Sequence, residues 1–156
     1  MKHRFVAFAL GAGLAVALGA TQVSAAPPQT TTTTTKNLVE TFVDVVPTCD
    51  ASGADYTITT TSNLVEHETV FDDGRVHATF TQTGSFVATN PTLPDFTGKF
   101  TTWGNFNANG ATENSTFTFT VHGTGDDGST FKHHETAHSN SRPDGSVQEF
   151  FHCHDS

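Results

Sequence analysis

The segment His134-Glu135-Thr136-Ala137-His138 has the residue types and spacing of a zinc-peptidase motif, His-Glu-x-x-His. On a helix, residues four apart share a face, so both imidazoles reach one metal and the glutamate beside them serves as general base. On a strand the two histidines stand about 13 Å apart at roughly 3.3 Å per residue, too far for one zinc with bonds of about 2.0 Å. Glu135 then points the opposite way from both. The choice rests on the elements that carry the motif.

Those elements read as strands. Nothing from residue 37 onward has the apolar periodicity of an amphipathic helix. Alternation of Thr, Val and Phe recurs instead, broken by Asp-Gly turns in "FDDGR" at 71–75, "GDDGS" at 125–129 and "RPDGS" at 142–146. Alternating apolar residues around Asp-Gly form a strong hairpin signal. The pattern predicts strands near 38–46, 55–61, 64–71, 75–89, 96–107, 112–123, 129–141 and 146–153. Eight short strands with tight connections predict an all-β antiparallel meander forming a small closed or nearly closed barrel.

Period-two alternation also assigns faces. Val76, Ala78, Phe80, Phe86 and Ala88 share one, as do Phe96, Phe100 and Phe106 on the next strand, with Trp103 opposite. Phe117, Phe119, Val121, Phe131, Ala137, Val147, Phe151 and Cys153 continue the same interior. The stretch 38–61 alternates less cleanly and its faces stay open. If "RPDG" is a type I turn with Gly145 in the left-handed region, Arg142 pairs with Ser146. His134 then lies opposite His154, Thr136 opposite His152 and His138 opposite Phe150, all on the outer face. His133 and Glu135 face inward beside Cys153.

This register divides the histidines. The outer set offers His134, His152 and His154 as ligands for a borderline metal, set against a plain solvated polar face, which is the favoured reading. The inner residues His133 and Glu135 sit among Phe and Ala, and His67 joins Val65 and Phe71 on a second apolar face. Buried ionisable groups cost several kcal/mol unless paired. They imply either a structural pair or the polar anchors of a ligand pocket.

The zinc-peptidase alternative fits poorly. Asp144 stands where some metzincins, including the small secreted snapalysin type, carry an acidic third ligand, so about eleven residues resemble that pattern. The glycine of that pattern is Ser141 here, Arg142-Pro143 reads as a turn, and no methionine follows Met1 to build a Met-turn.

The N-terminal sequence places Lys2, His3 and Arg4 before an apolar run from Phe5 to Ala20, then small residues to Ala26. That is the pattern of a secretory signal peptide over residues 1–26, which predicts a secreted, extracellular protein. Residues 27–36, with six consecutive threonines from Thr30, read as a disordered tether, and residues 37–156 as one domain. Loss of residues 1–26 removes two of seven basic residues and moves the net charge from −9 to −11. Such acidity disfavours nucleic acid and membrane surfaces as partners. In an exported chain the two cysteines, Cys49 and Cys153, are expected to pair.

The Thr-rich tether, the "TGSF…PTLPDFTGKFT" segment and the "GTGDDGST" hairpin resemble small exported bacterial β-barrel proteins. The architecture is similar to lipocalin-like and allene-oxide-cyclase-like barrels. That resemblance is one of pattern over the whole domain and assigns no residue a role. The functional expectation is a module binding a small apolar molecule, with His67, His133 and Glu135 as polar anchors among Phe117, Phe119 and Phe131. Two alternatives are a barrel enzyme using His133 and Glu135 for proton transfer or isomerisation, and a metal-binding surface protein. No Ser-His-Asp set, phosphate-binding loop or cofactor fingerprint is discernible, which favours binding over catalysis and implies no cofactor.

Overall fold

Three Asp-Gly hairpins of one design set the register of the sheet. In each, the residue before the turn donates its N–H to the carbonyl four residues on: Phe71 to Arg75, Gly125 to Ser129, and Arg142 to Ser146, at 2.8 to 2.9 Å. Gly74, Gly128 and Gly145 take φ of 81 to 84°, the left-handed region that glycine enters without steric cost. The preceding Asp73, Asp127 and Asp144 each accept the N–H two residues ahead. All three carboxyls are held below the usual range: the Ser129 and Ser146 hydroxyls lower Asp127 and Asp144 most, with those N–H bonds next, and for Asp73 the Arg75 N–H leads, with the Arg75 guanidinium adding to it.

In the computed structural model residues 27–156 are described, apart from 47, 50 and 51. The expected signal peptide, residues 1–26, lies outside the described residues. Seven strands follow in order: β1 Gln29–Val45, β2 Asp55–Val70, β3 Val76–Thr89, β4 Phe96–Asn109, β5 Thr112–Gly125, β6 Thr130–Ser141 and β7 Val147–Asp155. They form one antiparallel sheet in chain order, and no helix occurs among the described residues. All-β meander topology is as expected from the alternation.

Three expectations are corrected. The segments 55–61 and 64–71 are one strand, β2, because Ser62 and Asn63 keep their ladder partners Gly84 and Thr83, so there are seven strands rather than eight. The Thr-rich tether is also strand: Thr30 to Thr35 pair with Thr69 to Leu64. Threonine is β-branched and suits a pleated, half-exposed surface, and cross-strand hydroxyl pairs such as Thr30 with Thr69 add to the ladder. The sheet, finally, is not closed: β1 and β7 remain its two edges.

It is nevertheless strongly curled. The loop between β1 and β2 meets β7 through the Cys49–Cys153 disulfide, with Cα atoms 5.6 Å apart. In a flat sheet at about 4.8 Å per strand those elements would lie more than 20 Å apart. The disulfide thus clamps one end, where β1, β3, β5 and β7 finish. The other end is splayed.

The core fills the clamped end of the inner face: Tyr56, Ile58, Phe86, Ala88, Phe100 and Val121, with Phe96, Phe119 and Phe131 against it. Phenylalanines there lie over glycines. Phe86 on β3 and Phe131 on β6 meet at 6.1 Å between ring centroids, above Gly98 and Gly123 on the two intervening strands. A Cβ at Gly98 would stand 2.6 Å from the Phe86 ring. A side chain at either glycine would hold the rings apart.

Near the N-terminus, β1 contains a bulge between Thr35 and Leu38, with Asn37 at φ 54°. The extra residue reverses the parity of the strand, so Thr31, Thr33 and Thr35 face inward before it and Leu38, Glu40 and Phe42 after it. That reversal, with valines on the outer face at 39 and 43, is why alternation alone left the faces of this region open.

Candidate functional site

The final hairpin has the register derived from its turn. His134 pairs with His154, Thr136 with His152 and His138 with Phe150, so the histidines of "HETAH" stand on the outer face of β6. Glu135 pairs with Cys153 and His133 with Asp155 on the inner face. The zinc-peptidase geometry is therefore absent: the glutamate and the two histidines lie on opposite sides of the sheet.

His133 is the centre of the inner cluster and is only 2 % exposed. Its Nδ1 lies 2.7 Å from Asp155 Oδ1, and its Nε2 lies 3.4 Å from Glu135 Oε2. The Glu135 hydrogen bond raises its pKa most, burial opposes, and the Asp155 hydrogen bond and the charges of both carboxylates add to the rise. The imidazole is thus favoured as the cation, donating from both ring nitrogens. The disulfide completes the cluster, with Cys153 Sγ 3.8 Å from His133 Nδ1. Cys49 donates its backbone N–H to Asp155 Oδ2 at 2.9 Å. Phe119 stands beside the imidazole at 6.2 Å between ring centroids.

Such an arrangement is a structural staple first. A general base needs an open edge facing its substrate. Here both nitrogens are held by carboxylates and the ring is buried. The favourable charges also tie β6 to β7 at the clamped end.

The other predicted residues divide by face. Phe117 and Phe119 lie on the inner face opposite Ala137 and Glu135, and Phe131 belongs to the clamped core against Phe86 and Phe96. His67 is corrected. It lies on the outer face, exposed, with its Nδ1 2.8 Å from the Thr32 hydroxyl. Because β2 runs unbroken, the inward positions Tyr56 and Ile58 fix every odd residue as outward, so His67 does not join His133 and Glu135. Of the outer histidines, His134 and His154 are cross-strand partners and His152 stands opposite Thr136, and among the described residues the three do not form a group able to share one ion. His134 and His138 direct Nδ1 to Thr120 and Thr116, at 2.8 and 3.0 Å. Among the described residues, the group of ligand atoms close enough to share one ion is Cys49, His133, Cys153 and Asp155.

Alternation alone singles out neither Asp155, whose side chain is 44 % exposed, nor the buried polar residues Ser62, Gln82 and Thr102. Asp155 follows from the hairpin register carried one pair further. Ser62, Gln82 and Thr102 form an inner band, with Gln82 Nε2 donating to Ser62 Oγ at 2.9 Å. Polar residues at inward positions were the available signal, hidden by the abundance of threonine.

Beyond this band the inner face of the splayed end is open and mixed: Phe80, Phe106, Phe117, Phe151 and Val147 share it with Glu66, Glu68, Glu113 and Glu149. One cross-strand row runs Thr33, Glu66, Phe80, Gly104, Phe117, Ala137, Phe151, apolar from Phe80 onward. Phe151 is 56 % exposed; Phe106, 38 % exposed, stands in the next row with Glu68, Ser115, Ser139 and Glu149, and Val147, 56 % exposed, in the row after that. A separate shallow depression of about 580 Å³ involves Thr83, Lys99, Thr101, Thr120 and His122, and none of the predicted ligand-binding residues lines it. Comparison of the chain with protein-family models, with curated proteins and with solved structures found no match.

Proposed function

We propose that the protein is an exported binding module that holds a small apolar molecule in the open groove of its inner face. The observation that carries this reading is the apolar run of Phe80, Gly104, Phe117, Ala137 and Phe151 across five neighbouring strands, with Phe106 in the next row, on the inside of a curled sheet and bordered by Glu66, Glu68 and Glu149. Exposed apolar side chains scattered singly need no explanation, whereas a contiguous patch marks an interaction site. The outer face carries only separated ones, such as Trp103 and Phe150. Gln82, Thr102 and Glu135, one row deeper, give the groove a polar floor that favours a molecule with one polar end. Export is supported by the signal-like N-terminus and by the disulfide. No described helix is long and apolar enough to cross a membrane.

Neutral Nile red is a suitable probe, because it avoids repulsion from an acidic chain. The expected result is saturable uptake near one dye per chain, weakened about tenfold or more in Phe117→Asp and unchanged in Trp103→Phe on the outer face. Uptake equal in all three proteins would overturn the reading. So would a stable dimer that takes up no dye, since a second copy would then be what covers the patch.

A further inference from the structure

We infer that the disulfide conceals a metal site: reduction of Cys49–Cys153 releases two thiolates that, with His133 and Asp155, take up a borderline divalent cation such as zinc. The four side chains each offer one ligand atom, and all four atoms lie within 4.8 Å of one another. A tetrahedral zinc ion with bonds of about 2.0 Å to N and O and about 2.3 Å to S needs ligand separations of roughly 3.3 to 3.8 Å. Side-chain shifts of about 1 Å therefore suffice once the sulfurs part.

The donor set is the right kind. Two thiolates, one imidazole and one carboxylate suit zinc better than calcium or magnesium, which prefer oxygen alone. Supporting contacts are also in place. With Nδ1 turned to the metal, Nε2–H of His133 faces Glu135 Oε2 at 3.4 Å, the carboxylate partner that commonly orients a metal-bound imidazole. The Cys49 backbone N–H holds Asp155 Oδ2, which orients the carboxylate with Oδ1 toward His133. As the disulfide stands, its two sulfurs are bonded to each other and neither is a thiolate.

The chemistry balances with a dithiol as the reductant. Its two sulfurs are oxidised to a disulfide while the Cys49–Cys153 bond gains two electrons and two protons, giving two thiols. The metal then displaces one proton from each thiol and keeps its charge of +2. The expected state is disulfide under oxidising conditions and metal-bound under reducing ones.

Cobalt(II) serves as the probe, because thiolate ligation gives a charge-transfer band and tetrahedral geometry gives intense d–d bands. The full protein is reduced with an excess of a dithiol, transferred anaerobically into buffer without it, and titrated while circular dichroism follows the sheet. Expected are both band types at one cobalt per chain, displacement by zinc, and no bands in the oxidised protein. His133→Phe and Asp155→Asn should each weaken cobalt binding about tenfold or more. Absence of a thiolate band in the reduced protein, folded or not, overturns the inference. Equal affinity in both variants also overturns it, since two cysteines of a loosened chain would then account for the metal.

Discussion

At the scale of single residues, the inner cluster combines a buried imidazole, its protonated form favoured, with two partly exposed carboxylates. Protonated His133 gains from Glu135 and Asp155 what it loses in hydration, so its folded pKa lies above its ordinary value. By linkage, a raised histidine pKa contributes stability that is fully present below about pH 6.5 and disappears as pH rises through the folded value. Glu135→Gln removes the largest upward push. The variant should therefore be less stable than wild type by about 1 to 3 kcal/mol near pH 5.5, the magnitude of a hydrogen bond to a charged group. The gap should narrow by pH 9. Urea unfolding of both proteins across that range measures it, and a gap independent of pH would place Glu135 outside the histidine's electrostatic reach.

At the scale of elements, curling rests on aromatic rings seated over glycines of neighbouring strands. A Cβ at Gly123 would meet the Phe131 ring and stand 2.9 Å from Phe86, and one at Gly98 would meet the His122 carbonyl, which cannot swing away. Gly98→Ala and Gly123→Ala should each cost about 1 to 3 kcal/mol as overpacking. Gly104→Ala, against Phe80 at the splayed end, should cost less, because that ring has open space to move into. Thermal unfolding ranks the three, and equal losses would mean the clamped and splayed ends are packed alike. Much of this level was legible in the sequence. The Asp-Gly turns gave the last hairpin to the residue, since Gly145 in the left-handed region leaves one register for His134 and His154. The Phe-on-Gly pairs were not legible, because they join strands whose relative register no single turn reveals. The face of His67 is hidden in the sequence for a related reason: a strand ending at Thr61 loses the parity that Tyr56 and Ile58 impose on the rest of β2.

At the scale of the whole molecule, closure was the property the sequence concealed. Eight alternating segments with an apolar interior are compatible with a barrel, yet closing one requires the edges β1 and β7 to pair. The inward positions of early β1 are Thr31, Thr33 and Thr35, which offer little apolar surface to draw that edge over Phe151. The threonine tract was also ambiguous by composition, and its pairing with Leu64 to Thr69 decides it as strand. The disulfide does at one end what strand pairing does not do along the length. It closes a loop of 104 residues, which by chain entropy contributes on the order of 4 to 5 kcal/mol. Clamped at one end and splayed at the other, the sheet leaves Phe106 and Phe151 exposed on its inner face, and the proposal that this face is a binding groove is the central claim. Intermolecular nuclear Overhauser effects between the neutral amphiphile 1-decanol and the oxidised protein test it most directly. The account predicts saturable cross-peaks from the alkyl chain to ring protons of Phe106, Phe117 and Phe151, and none to Trp103 or Phe150. Cross-peaks to the outer aromatics, or none at any saturating concentration, would contradict it.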